Sequence, residues 1–151
     1  MTPIILYKAD ALRAELSCAD PRLQVLVHFA AALVVNRGWA PYVVVTSVKR
    51  AHVSGTPWSV HEVDPCRGCD LRTRGMFNEE TAQQIEDRIN AVFLYSSVPG
   101  LHAAWYETQA KALARGRDPK PRPIVPHLHL QVPSWGAAPP PVVSLSPPVP
   151  G

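Results

Sequence analysis

Residues 126–132 read PHLHLQV. The stretch alternates strictly: His127, His129 and Gln131 fall on one side, and Leu128, Leu130 and Val132 on the other. Successive side chains of a β-strand point to opposite faces, so this is the pattern of a strand with its leucines in the core. Two imidazoles then project together from one rigid element. The helices that would cover the apolar face are sought in the rest of the chain.

Asp20-Pro21 is a helix start, with Asp as N-cap and Pro in the first turn. Leu23, Leu26, Ala30, Leu33 and Val34 follow at helical spacing, and Gly38 stops the helix. YVVVT, from Tyr42 to Thr46, is short and β-branched and predicts a buried strand. From Lys49 to Cys69 the chain reads as loop, with Gly55, Pro57, Pro65 and Gly68, and Asp70 to Thr73 as a short strand. Asn78 caps a second helix, with Glu79 and Glu80 in its first turn and Ile85, Ile89, Val92 and Phe93 as its buried stripe. A third helical stretch is expected over Ala103 to Ala114, and a basic, Pro-rich loop over Arg115 to Pro126. The sum is an α+β domain over residues 1–133, a small antiparallel sheet flanked by helices.

Residues 134–151 are set apart by composition. Seven of the 17 prolines fall in the last 19 residues, which cannot supply a core and predict an extended or disordered tail, with a tether or docking peptide as its functional reading. The 151 residues carry a net charge of +3, and no Lys/Arg run is long enough to argue for nucleic acid. The mild excess suits a polyanionic surface such as a cell wall. Three cysteines do not make a secreted disulfide scaffold. MTPIILYKADALRAELS lacks the marks of a signal peptide, so a cytosolic product is expected, one that reaches any outside target by another route. Val25 to Val35 is too short to span a bilayer and contains His28, so no membrane insertion is expected.

The chemistry concentrates in SVHEVDPCRGCDLR, Ser59 to Arg72, which admits three readings. Cys66-Arg67-Gly68-Cys69 is a C-x-x-C that binds zinc or cycles as a dithiol, and His127 and His129 are available as a second ligand pair. Pro65 and Gly68 bracket it inside a loop, unlike a thioredoxin-type motif. A zinc deaminase would share Pro65-Cys66-x-x-Cys69, but His61-Glu62 stands too close to Cys66 to lie on the separate helix that chemistry uses. The third reading takes His61, Asp70 and His129: two imidazoles and a carboxylate, three ligands with a position open for water. His127, on the same strand face as His129, would then orient or deprotonate the water, or stabilise an oxyanion. His28, His52 and His102 read as structural.

In this third form the chain resembles peptidase family M15, the zinc D-Ala-D-Ala carboxypeptidases and L-alanyl-D-glutamate endopeptidases with their phage endolysin relatives. VVVTSVKR ends a strand with Ser47 and Arg50 in an S-x-x-R, GTPWSVH supplies Ser59 and His61, CRGCDLRT supplies Asp70, and PHLHLQV supplies the H-x-H. Order and rough spacing agree over residues 42–132. The resemblance implies a Hedgehog/DD-peptidase-like fold, Zn2+ held by His61, Asp70 and His129, and Arg50 clamping a substrate carboxylate or carbonyl, with Ser59 beside it. It implies peptidoglycan as substrate, cut in the stem peptide or cross-link.

Three departures mark this chain. The loop between His61 and Asp70 is two residues longer than the family's. Cys66 and Gly68 stand where Gly and Ala are usual. The acidic base usually found three residues before the last ligand His is replaced by Pro126, which leaves His127 as the candidate, with Glu62 and Asp64 as fallbacks. Pro126 and the tail also motivate a second expectation, a virion-associated structural or wall-binding module that keeps the fold without turnover, and the cysteines a third, a small zinc adaptor.

Overall fold

The computed structural model describes residues 4–55, 57–93, 95, 102–116 and 123–134. The tail beyond Ser134 lies outside the described residues, as does part of the basic loop before β5. Nine elements follow one another: β1 (Ile4–Tyr7), α1 (Ala11–Ser17), α2 (Pro21–Asn36), β2 (Tyr42–Ser47), β3 (Gly68–Arg72), α3 (Glu79–Val92), β4 (Ala104–Glu107), α4 (Gln109–Ala114) and β5 (His127–Gln131). The architecture is α+β. Among the described residues no helix is long and apolar enough to cross a membrane.

The five strands form one sheet in the order β1-β2-β3-β5-β4. β1 runs parallel to β2, and the other three pairings are antiparallel. The sheet is therefore mixed, which corrects the antiparallel expectation. The parallel pair follows from the chain path: β1 and β2 are joined by α1 and α2, and a parallel pair needs such a long crossover.

β4 is a second correction. Residues 104–107, AWYE, were expected to be helical. They pair with β5 instead, because two adjacent aromatic rings suit a pleated, half-buried strand, and the helix begins only at Gln109, where the Thr108 hydroxyl accepts from Lys111 N. β3 starts two residues earlier than expected, at Gly68, and ends at Arg72 rather than Thr73. Val92 is exposed at the end of α3, while Phe93 turns in and meets Phe29 edge-on, ring centroids 5.0 Å apart.

α2 begins where the sequence places it. Asp20 is fully buried, caps Arg22 N at 2.9 Å and pairs with the Arg22 guanidinium at 2.7 Å. α2 covers β1, β2, β3 and β5, and α3 covers β4. Leu23, Leu26, Val27 and Ile89 meet Val43, Val45, Leu71, Leu128 and Leu130 in the core. Each such side chain contributes roughly 1.5–3 kcal/mol by leaving water. α2 and α3 pack on the face that carries these core residues, and the alternate residues of β3, β4 and β5 point to the other face, where a site can be built.

Candidate metal centre and cleft

The strand registers assemble that other face. Asp70 on β3 lies opposite His129 on β5, and His129 lies opposite Trp105 on β4. One step along, Arg72, His127 and Glu107 stand in a row across the same three strands. A bulge in β2 sets the fourth position: Val45 pairs with Leu71 but Ser47 pairs with Asp70, so β2 carries an extra residue there. Thr46 Oγ1 donates to the Asp70 carbonyl at 3.1 Å across this irregularity.

Three donor atoms converge at the centre. Asp70 Oδ1 lies 2.8 Å from His129 Nδ1 and 3.4 Å from His61 Nε2, and the two imidazole nitrogens are 3.3 Å apart. Ligands held tetrahedrally at bond lengths of about 2.0–2.1 Å from a small divalent ion stand about 3.3 Å from one another. The two longer separations match that edge, and the shortest is a hydrogen bond whose proton a metal ion would replace. All three residues are buried and together form a group able to hold a metal ion.

The ligand set is held from outside. His61 Nδ1 donates to the Val48 carbonyl, so Nε2 keeps its lone pair turned toward Asp70 and His129. The His61 ring also lies against Gly68, where an added Cβ would sit 3.2 Å from His61 Nε2 and 2.5 Å from Val60 Cγ2. Arg50 Nη2 donates to the second Asp70 oxygen at 3.1 Å, and Arg50 Nε to Ser47 Oγ at 3.3 Å. The S-x-x-R pair therefore holds the carboxylate of Asp70, one of the three candidate donors. Burial opposes the charge on Asp70, yet hydrogen bonds from His129 and His61 hold its carboxyl well below the usual range. Burial pushes the His129 imidazole down against the pull of Asp70, which favours the neutral, ligating form.

Beside the donors stands a second pair. His127 Nε2 lies 3.3 Å from Glu107 Oε2 and 3.6 Å from Asp70 Oδ1. His127 Nδ1 donates to the Val125 carbonyl at 2.8 Å. Burial lowers the pKa of this ring, but the hydrogen bond with Glu107 and the charge of Asp70 outweigh it and raise the net value. His127 is thus drawn toward the imidazolium, paired with the Glu107 carboxylate.

Glu107 was not among the sequence candidates. Its signal was available in AWYET: aromatic strand formers, an outward-facing acid, then a threonine suited to cap the next helix. The fallback acids lie elsewhere. Glu62 accepts from His52 and from Ser59 N at 3.0 and 3.1 Å, and exposed Asp64 pairs with Lys49. Pro126 lies next to His127 and carries no acid–base group. The cysteines do not join the donors: Cys66 Sγ contacts the Val48 and Gly68 carbonyls at 3.3 Å, Cys69 is buried in the core, and burial pushes both thiols up.

A cleft of about 400 Å³ opens over this arrangement, with Arg50, Trp58, Ser59, Trp105, Glu107 and His129 in its walls. Three buried polar atoms in those walls have no hydrogen-bond partner among the described residues: Ser59 Oγ, Trp105 Nε1 and His129 Nε2. A buried polar atom left unpaired costs about 1–3 kcal/mol, so these three positions carry a cost within the folded chain. Trp58 stacks on His52 at 3.8 Å between centroids and stands exposed at the rim. A scan against protein-family models, a search of curated proteins and a search of solved structures each found no match for this chain.

Proposed function

We propose that this protein is a zinc-dependent peptidase that hydrolyses a peptide bond of peptidoglycan, in the stem peptide or the cross-link. The observation that carries the reading is the convergence of His61 Nε2, Asp70 Oδ1 and His129 Nδ1 on one face, with the Glu107–His127 pair alongside. Two imidazoles and one carboxylate are a donor set that suits zinc and leaves a fourth position open. The resemblance of the four sequence motifs to peptidase family M15, and with it a Hedgehog/DD-peptidase-like arrangement, supports the substrate class. Ser59 and Trp105 line the cleft in which a peptide would lie.

The division of labour follows from the charges. Zinc, when bound, supplies a Lewis acid that polarises the scissile carbonyl and acidifies water. Glu107 accepts a proton from the attacking water as oxygen adds to the carbonyl carbon, and returns it to the amine nitrogen as the C–N bond breaks. His127, drawn toward the imidazolium by Glu107 and Asp70, donates toward the oxygen that gains negative charge. Arg50 keeps Asp70 in place and presents its remaining N–H groups to the cleft. Ser59, at the cleft wall, hydrogen-bonds the peptide backbone.

Release of new amino groups from purified peptidoglycan tests the reading. Release that requires zinc and stops with a chelator is expected. No release from a chain that carries one zinc would move the assignment to a wall-binding module without turnover.

A further inference from the structure

A second cavity of about 620 Å³ adjoins the metal centre, with walls that include Lys8, Thr46, Asp70, Arg72, Arg74 and His127. His127 lines both this cavity and the cleft, and Asp70 belongs to both the donor group and this cavity, so the two stand side by side on one sheet face. The volume falls within the roughly 300–1,000 Å³ range of small-molecule sites and suits a short peptide segment.

The walls are one-signed. Lys8, Arg72 and Arg74 are exposed, and no ion pair among the described residues joins any of them to a carboxylate. Among the described residues the one acid in the lining, Asp70, is already engaged by Arg50, His61 and His129. The cations come from separate parts of the sheet. Lys8 follows β1, where its amide donates to the Val45 carbonyl at 2.9 Å, and Arg72 ends β3 opposite His127. One strand, β2, lies between them, so two inter-strand spacings, roughly 9–10 Å, separate them across the sheet. Like charges gathered without counter-charge in a concave site repel one another and attract an anion. Among the described residues no Phe, Tyr or Trp lines this cavity, and its lining is cationic rather than a stacking platform for bases.

We propose that this basic cavity is a subsite for the acidic portion of a peptide substrate, with Arg72, Arg74 and Lys8 reading carboxylates that flank the scissile bond. It rests on the peptidase reading and adds to it a specificity for carboxylates over their amides. Arginine suits this task, since its planar fork binds a carboxylate bidentately while an amide offers only one acceptor.

Equilibrium binding tests it. The probes are the stem tripeptide L-Ala-γ-D-Glu-L-Lys, the same peptide with the glutamyl α-carboxylate amidated, and a γ-linked tri-glutamate. The full chain carries Glu107→Gln so that the peptides persist. The free acid is expected to bind about tenfold more tightly than the amide at low salt, with Arg72→Gln/Arg74→Gln removing the difference. Equal binding of acid and amide, or a preference that survives the double substitution, would overturn the subsite. So would tighter binding of a single-stranded oligonucleotide than of the acidic peptides. The two readings fail separately. Tri-glutamate bound through Arg72 and Arg74 by a chain that never cuts peptidoglycan would keep the acidic subsite and remove the peptidase. Cleavage without any acid preference would do the reverse.

Discussion

Asp70 touches more of the site than any other residue. One oxygen meets His61, His127 and His129, and the other takes the Arg50 guanidinium. Its place was legible because a single Asp follows the loop motif where the chain turns to strand, although β3 itself begins two residues earlier, at Gly68. His127 and His129 were legible because strict alternation fixes the face of a strand without knowledge of its neighbours, and His61 because it stands in the loop motif that leads to Asp70. Glu107 was not, because its role depends on standing across from His127, and that pairing is set by register between strands about 20 residues apart. Two predictions belong at this scale. Glu107→Gln should lower turnover of peptidoglycan by about 10²–10⁴-fold while the metal content stays unchanged, as loss of a proton-transfer group does. A variant that kept full activity would remove Glu107 from the chemistry. Gly68→Ala should press a methyl group on Val60 and the His61 ring and weaken zinc about 10–100-fold, read by competition with a chromogenic chelator. Unchanged affinity would show that His61 moves freely.

At the scale of elements, α2, β2, α3 and β5 were legible because each carries its own period and its own start or stop signal. β1 and β4 were not. Four residues hold too few repeats to show a period, and what makes IILY and AWYE strands is the edge each one joins. The start of α2 ties several parts together: Asp20 caps the helix, its amide donates to the Cys66 carbonyl, and Arg22 reaches the Pro133 carbonyl at 2.6 Å. Asp20→Ala removes the cap and leaves Arg22 without its carboxylate, so urea unfolding should show a loss of about 2 kcal/mol with an unchanged m-value. No loss would show that water replaces the cap. The loop between β2 and β3 carries a pH-sensitive contact. The hydrogen bond from His52, and then that from Ser59 N, hold the Glu62 carboxyl below its ordinary value of 4.5. A depressed carboxyl contributes stability that is present above pH 4.5 and lost as pH falls through the lower folded value. The Trp58 ring stacked on His52 should therefore change its indole NMR shift in that acid window, and Glu62→Gln should abolish the transition. A shift centred on neutral pH instead would assign it to His52.

For the whole molecule, one sheet face makes the fold and the other makes the site. The α+β class was legible from the mixture of helical and alternating periods. The mixed order of the sheet was not, since parallel pairing of β1 with β2 is a long-range choice that no local pattern encodes. The division also separates the two groups of candidate ligands. His61, Asp70 and His129 meet on the open face, while the Cys69 side chain belongs to the core and Cys66 to the backbone carbonyls behind the loop. A metal bound only by the folded chain stabilises it by mass action, so a hundredfold excess over Kd should add about 2.7 kcal/mol, seen as a rise in Tm that a chelator reverses. The most direct test of the centre is the zinc content of three chains after identical loading and desalting: wild type, Asp70→Ala, and Cys66→Ser/Cys69→Ser. One zinc per chain in the wild type and the cysteine variant, with loss in Asp70→Ala, is the predicted result. Zinc kept by Asp70→Ala and lost by the cysteine variant would contradict the centre described here and return the metal to the C-x-x-C motif.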